Sequence, residues 1–154
     1  MDYFEYRNGD LFCEDVKVAD IAGQAGTPLY VYSRATLLHH YKAIASAFGA
    51  LEPTICFSIK SLSNINILKV LRDAGSSFDV VSGGEVARAM AAGARPERIV
   101  FAGVGKTDRE IGEAIAAGVG IFNVESEAEF ENLSVLAAKA GKRVRAALRV
   151  NPDV

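Results

Sequence analysis

A single lysine is placed where it could do covalent chemistry. Lys60 directly follows the apolar run Ile55-Cys56-Phe57-Ser58-Ile59. Lysine is almost never buried without a partner, so a packing role fits it poorly. At the end of a strand it can face a site, where desolvation lowers its pKa and frees the amine. A neutral amine is what Schiff-base formation with an aldehyde requires. A lysine that simply emerges to solvent at a strand terminus fits the position equally well. Two other groups stand in comparable places. Asp79 lies in Phe78-Asp79-Val80-Val81-Ser82-Gly83-Gly84-Glu85, where it could pair with Lys60 or cap a loop. Arg149 lies in Leu148-Arg149-Val150-Asn151-Pro152, where it could hold Asp79 or a bound ring, or form an ordinary rim ion pair.

Other chemically suggestive residues have simpler readings. Glu85 is best explained as the capping-box partner of Ser82. Gly83-Gly84 could admit a ligand to the backbone or merely turn the chain. His39-His40 reads as an exposed helical pair and Cys56 as a core residue. Gly103-Val104-Gly105-Lys106-Thr107 lacks the spacing of a phosphate-binding Walker loop and reads as a strand-to-helix connection. Cys13 and Cys56 are the two cysteines, without disulfide-scaffold or metal-site spacing, so no metal is expected.

The elements that must position these residues repeat. Apolar runs begin near Thr54, Ser77, Arg98, Gly120 and Arg143, a spacing of roughly 21 to 23 residues that suits one strand, one helix and short loops. The runs are short and nearly continuous, as in strands covered on both faces. Helical segments follow the first four and close on Gly75, Gly93, Gly118 and Gly141. Three open with the capping-box pairs Ser82/Glu85, Thr107/Glu110 and Ser126/Glu129. Such alternation implies a parallel sheet with right-handed crossovers. The even period and the missing Gly-x-Gly-x-x-Gly turn favour a (β/α)8 barrel over a doubly wound sheet. Five strands are visible where eight need about 200 residues or more, so the chain reads as the first part of a barrel. Ahead of it lie a hairpin around Asn8-Gly9, a short helix from Val18 to Ala25, a strand from Pro28 to Tyr32, and a helix capped by Ser33 that runs to about Phe48. The expected division is residues 1–32 before the barrel and 33–154 within it.

Composition narrows the function classes. The 154 residues are half apolar and carry a net charge of −2, which offers no basic face to nucleic acid or anionic membrane. No apolar run could span a bilayer, and the start Met1-Asp2-Tyr3-Phe4-Glu5-Tyr6 lacks the regions of a signal peptide. A cytoplasmic protein is expected.

Taken in order, these segments resemble the bacterial diaminopimelate decarboxylases, which are alanine-racemase-like (fold type III) pyridoxal-phosphate enzymes. The resemblance covers essentially the whole chain, from Pro28-Leu29-Tyr30-Val31-Tyr32-Ser33 through Arg98 to Lys106, Phe122-Asn123-Val124-Glu125-Ser126 and Leu148 to Pro152. It implies that Lys60 forms the Schiff base with pyridoxal 5'-phosphate, and that Asp79 and Arg149 help bind the cofactor. It implies decarboxylation of meso-diaminopimelate to L-lysine by an enzyme that is a homodimer at full length. It also implies that the Pro28–Tyr32 strand joins a C-terminal β domain. The histidine, glycine-rich phosphate grip, arginine and cysteine of the family site would lie beyond residue 154. The stretch Ser61-Leu62-Ser63-Asn64 departs from the Ala-Asn that follows the lysine in most relatives. Related decarboxylases of ornithine, arginine, carboxynorspermidine or carrier-bound glutamate share the lysine and the barrel. A non-catalytic pyridoxal-phosphate-binding barrel and an unrelated phosphate-binding barrel are the readings from other classes.

Overall fold

The structure is a computed structural model, and it describes residues 2–152. The chain divides into two compact units, Met1–Pro53 and Thr54–Val154.

In the first unit, β1 (Phe4–Arg7) and β2 (Asp10–Cys13) form the expected antiparallel hairpin. Asn8 and Gly9 both take positive φ, 51° and 87°, which the tight turn needs to match the twist of its strands. A third strand, β3 (Val16–Lys17), adds to β2 and was not foreseen. Helix α1 spans Val18–Ala25 and α2 spans Arg34–Ala47. The Ser33 hydroxyl accepts the Thr36 N–H at 2.9 Å, as its capping role predicts. The same hydroxyl donates to the Glu14 carboxylate at 2.8 Å, and the Ala35 N–H donates to that carboxylate at 2.9 Å. These hydrogen bonds hold the Glu14 carboxyl below its ordinary pKa, with the Ala35 N–H the largest cause. His39 and His40 are exposed on α2.

One expected element is absent. Residues 28–32 form no strand. A strand exists through its ladder, and no described segment pairs with this one.

The second unit is the expected strand-helix repeat. It runs β4 (Cys56–Ser58), α3 (Ile65–Asp73), β5 (Ser77–Val80), α4 (Gly83–Ala91), β6 (Ile99–Phe101), α5 (Asp108–Ala117), β7 (Ile121–Val124), α6 (Glu127–Lys139) and β8 (Ala146–Leu148). The five strands are parallel and lie in strict chain order, β4-β5-β6-β7-β8. A doubly wound sheet would reverse direction at a switch point; sequential order is how a barrel wall is built. The core lies between the sheet and its helices. Ile59, Phe78, Val80, Ile99, Phe101, Phe122 and Val124 pack there against Leu68, Ala89, Ile111, Ile115 and Leu133.

The other face differs from the expectation of strands covered on both sides. Cys56, Ser58, Asp79, Val100, Ile121 and Asn123 are only half-buried, because no described element covers them. Cys56 belongs to this face rather than to the core, and partial burial still pushes its thiol pKa up.

The capping expectations hold in part. Ser82, Thr107 and Ser126 each accept the N–H three residues on. Only Thr107–Glu110 closes the reciprocal box. Glu85 and Glu129 reach one residue further back, to the N–H groups of Val81 and Glu125, each at 2.9 Å. They tie the strand-to-helix corner itself rather than the N-cap.

Candidate functional site

The loops at the C-terminal ends of the strands surround a cleft of about 530 Å³. Lys60, Asp79 and Arg149 all line it, with Val81, Ala102, Gly103, Val104, Asn123 and Glu125. Three residues singled out across ninety positions of sequence therefore share one site.

Lys60 sits in a 3-10 turn, Ile59–Ser61, just past β4. Ile59 is fully buried and anchors the turn. The Ser61 hydroxyl donates to the Ser58 carbonyl at 2.7 Å, and the Leu62 N–H to the Ile59 carbonyl at 3.0 Å. With its neighbour pinned inward, Lys60 points out and is exposed. The departing Ser61-Leu62-Ser63-Asn64 stretch is thus structural in part. Ser61 closes the turn, and Asn64 caps α3 by accepting the Asn66 N–H at 2.9 Å.

Asp79 is held by its register. It lies opposite Ser58 in the β4–β5 ladder, and the Ser58 hydroxyl donates to its Oδ2 at 3.0 Å. Arg149 follows β8, where its N–H extends the ladder to the Val124 carbonyl at 2.8 Å. Its guanidinium pairs with Glu125 Oε2 at 3.3 Å. Of the alternatives the sequence left open, the structure takes the rim ion pair for Arg149, and among the described residues Asp79 pairs with neither Lys60 nor Arg149. The Ser58 hydroxyl satisfies one Asp79 oxygen, and the Glu125 carboxylate balances the Arg149 charge.

Three participants escaped the sequence reading. Ser58 sits inside the apolar run Ile55–Ile59, whose pattern marks a strand and no polar role. Glu125 accepts the Gly103 N–H at 3.1 Å as well as pairing with Arg149. Lys106, read as loop, is the most enclosed charge of the region, its side chain only 2% exposed. The available signal was position: Glu125 falls directly after a strand, where barrel loops turn into the site.

The residues present suit part of a pyridoxal phosphate site. A primary amine opens onto a cleft able to hold a small aromatic ring, with an aspartate and an arginine also lining it. A phosphate grip would need free backbone N–H groups. The Gly103 N–H is taken by Glu125, and the Gly83 N–H by Glu110 at 2.8 Å. Gly83 is thereby explained by a close intramolecular approach: a Cβ there would meet Glu110 Cγ at 2.9 Å, whereas one on Gly84 would make only an ordinary contact with Ser82 Oγ at 3.8 Å. Among the described residues no group of three or more His, Cys, Asp or Glu side chains could hold a metal ion, and no helix is long and apolar enough to cross a membrane.

Comparison with known proteins agrees with this geometry. Residues 34–154 match the family described as pyridoxal-dependent decarboxylase, pyridoxal binding domain. Diaminopimelate decarboxylase from Vibrio cholerae is 47% identical over all of this chain and 37% of its own length. The crystal structure of AQ1208 from Aquifex aeolicus superposes with a TM-score of 0.93 at 44% identity, covering 98% of this chain and 37% of that one. Diaminopimelate decarboxylase from M. jannaschii, solved in complex with L-lysine, gives a TM-score of 0.94 at 32% identity over 99% of this chain and 37% of that one. The chain thus spans about 37% of the length of the curated relatives it matches. A barrel wall with a lysine-bearing cleft at its strand ends, matched by the family over most of its length, places this chain in the pyridoxal-dependent decarboxylases, in their pyridoxal-binding domain.

Proposed function

We propose that the whole protein carrying this chain is a pyridoxal-phosphate-dependent carboxy-lyase that converts meso-diaminopimelate to L-lysine and CO2, with Lys60 as the covalent anchor of the cofactor. The observation that carries the reading is the meeting of Lys60, Asp79 and Arg149 on one cleft at the strand ends. The choice of substrate is supported by the identity of 47% to relatives named diaminopimelate decarboxylase.

Pyridoxal phosphate, when bound, supplies a conjugated ring that takes up the electron pair left as CO2 departs. The chain's own residues have positioning work. Lys60 offers the amine that holds the aldehyde carbon. Asp79 keeps its carboxylate oriented through Ser58, and Arg149 is steered by Glu125 toward the cleft rim. Val81 and Ala102 contribute apolar wall, which reduces water at the reacting centre. We assign residues 1–32 to the side of a β domain and 33–154 to the barrel, in line with a family match that begins at residue 34. The same reading makes the whole protein a cytoplasmic homodimer.

The test is borohydride reduction of the full-length protein loaded with pyridoxal phosphate, followed by peptide mapping. The label is expected on Lys60, and Lys60→Ala should lose both label and CO2 release while remaining folded. Label elsewhere with activity intact defeats the assignment. CO2 release measured across meso-diaminopimelate, ornithine and arginine decides the substrate.

A further inference from the structure

Burying a lysine ammonium is costly unless it is paired and hydrogen-bonded, and Lys106 meets that condition with two carbonyl acceptors and one ion pair. Its Nζ donates to the carbonyls of Gly103 at 2.7 Å and Asn123 at 2.9 Å. It lies 2.6 Å from Glu129 Oε1, and 5.5 Å from the centre of the Phe101 ring. These contacts come from two consecutive strand-to-helix units. Gly103 belongs to the loop after β6, Asn123 to β7 and Glu129 to the first turn of α6.

The contacts lead outward to the cleft. Glu129 Oε2 accepts the Glu125 N–H at 2.9 Å. Glu125 in turn accepts the Gly103 N–H at 3.1 Å, and its other oxygen faces Arg149 at 3.3 Å. Gly103 is held at both ends, giving its N–H to Glu125 and its carbonyl to Lys106. The four side chains carry two positive and two negative charges and form a neutral chain from interior to rim. Lys106 is 2% exposed, Glu125 and Glu129 are each 13% exposed, and Arg149 is 56% exposed. The exposed end, Arg149, is the one on the cleft that Lys60 and Asp79 also line, and its Glu125 partner is held from the buried end.

We propose that Lys106 is a positioning residue of the cleft: through Glu129 and Gly103 it fixes Glu125, which orients Arg149 on the cleft that Lys60 and Asp79 also line. This deepens the decarboxylase reading and rests on it for the identity of the ligand. Lys106 touches no reacting atom, so its effect should be transmitted entirely through Arg149.

A double-mutant cycle on the full-length protein tests this, read as the equilibrium affinity for pyridoxal phosphate by absorbance titration. Lys106→Met should weaken binding about tenfold, and Arg149→Ala should cost about tenfold alone but under about twofold on top of Lys106→Met, the coupling expected of groups in one network. An equal loss from Arg149→Ala in both backgrounds, or unchanged affinity in Lys106→Met, overturns the proposal. A crystal structure of cofactor-free Lys106→Met gives a readout that does not involve the ligand. Arg149 should leave Glu125 there, and a retained 3.3 Å contact would also overturn the proposal. Failure of the decarboxylase reading is distinguishable, because it appears as borohydride label missing from Lys60. Should Lys106→Met not fold, Glu129→Gln keeps the side-chain shape while weakening the grip on Lys106, and the same cycle is run with it.

Discussion

The Ser58 hydroxyl donates to the Asp79 carboxylate at 3.0 Å, across a pair of residues that the β4–β5 register sets directly opposite each other. Asp79 is therefore oriented by its neighbouring strand before any ligand arrives, and Lys60, two residues beyond Ser58, is left free of it.

Removing that donor should be felt at the cofactor. A single net hydrogen bond contributes about 1 kcal/mol, so Ser58→Ala should weaken pyridoxal phosphate binding by about fivefold in the full-length protein. Asp79→Asn should weaken it further, and Ser58→Ala should add little in the Asp79→Asn background, since both act on one interaction. Fluorescence titration of the three variants measures this. Independent, additive losses would show that Ser58 does not act through Asp79.

Two glycines in the same unit should respond oppositely to alanine. A Cβ on Gly120 would collide with the backbone carbonyl of Glu97, which has no side-chain freedom to retreat. Gly120→Ala should destabilise by about 1–3 kcal/mol, the usual range for overpacking. Gly112 lies inside α5 with nothing within 4 Å of its Cβ position. Gly112→Ala should stabilise by about 0.5–1 kcal/mol through helix propensity. Urea unfolding midpoints separate the two, and a common sign would contradict the packing described here.

Glu110 makes stability depend on acid. Its carboxylate accepts N–H groups from Gly83 at 2.8 Å and Thr107 at 3.0 Å, and the Thr107 hydroxyl at 2.7 Å. These bonds, the Gly83 N–H first among them, lower its pKa from 4.5 to about 2. A depressed folded-state pKa means that the contribution is fully present above 4.5 and is lost as the pH falls toward 2. Glu110→Gln should therefore lower the unfolding midpoint at neutral pH, with the gap from the parent protein narrowing below pH 4.5. A gap that stays constant down to pH 2 would rule out this origin.

Much of the architecture was legible because its causes are local. The strand-helix period, the glycine after each helix, the Asn8-Gly9 turn and the Ser33 cap act within a few residues, so they can be read along the chain. Lys60 was legible for the same reason, as a lone charge after an apolar run. The segment 28–32 forms no strand among the described residues because β propensity does not provide a partner, and a strand requires one. The reciprocal caps at Ser82 and Ser126 were misread because a glutamate side chain can reach either of two adjacent N–H groups, and the corner geometry selects between them.

The amino-acid sequence by itself determined the order and kind of elements, and which three residues could meet at the strand ends. Only the tertiary structure decided who pairs with whom. Asp79 belongs to Ser58, Arg149 to Glu125, and Lys106 lies buried among groups drawn from the loop after β6, from β7 and from α6. The reason is physical. A hydrogen bond or ion pair forms with whichever partner lies within about 3 Å, and that distance is set by strand register, by the angle of each turn and by the cost of leaving a buried charge unpaired. None of these is written in the spacing of residues along the chain.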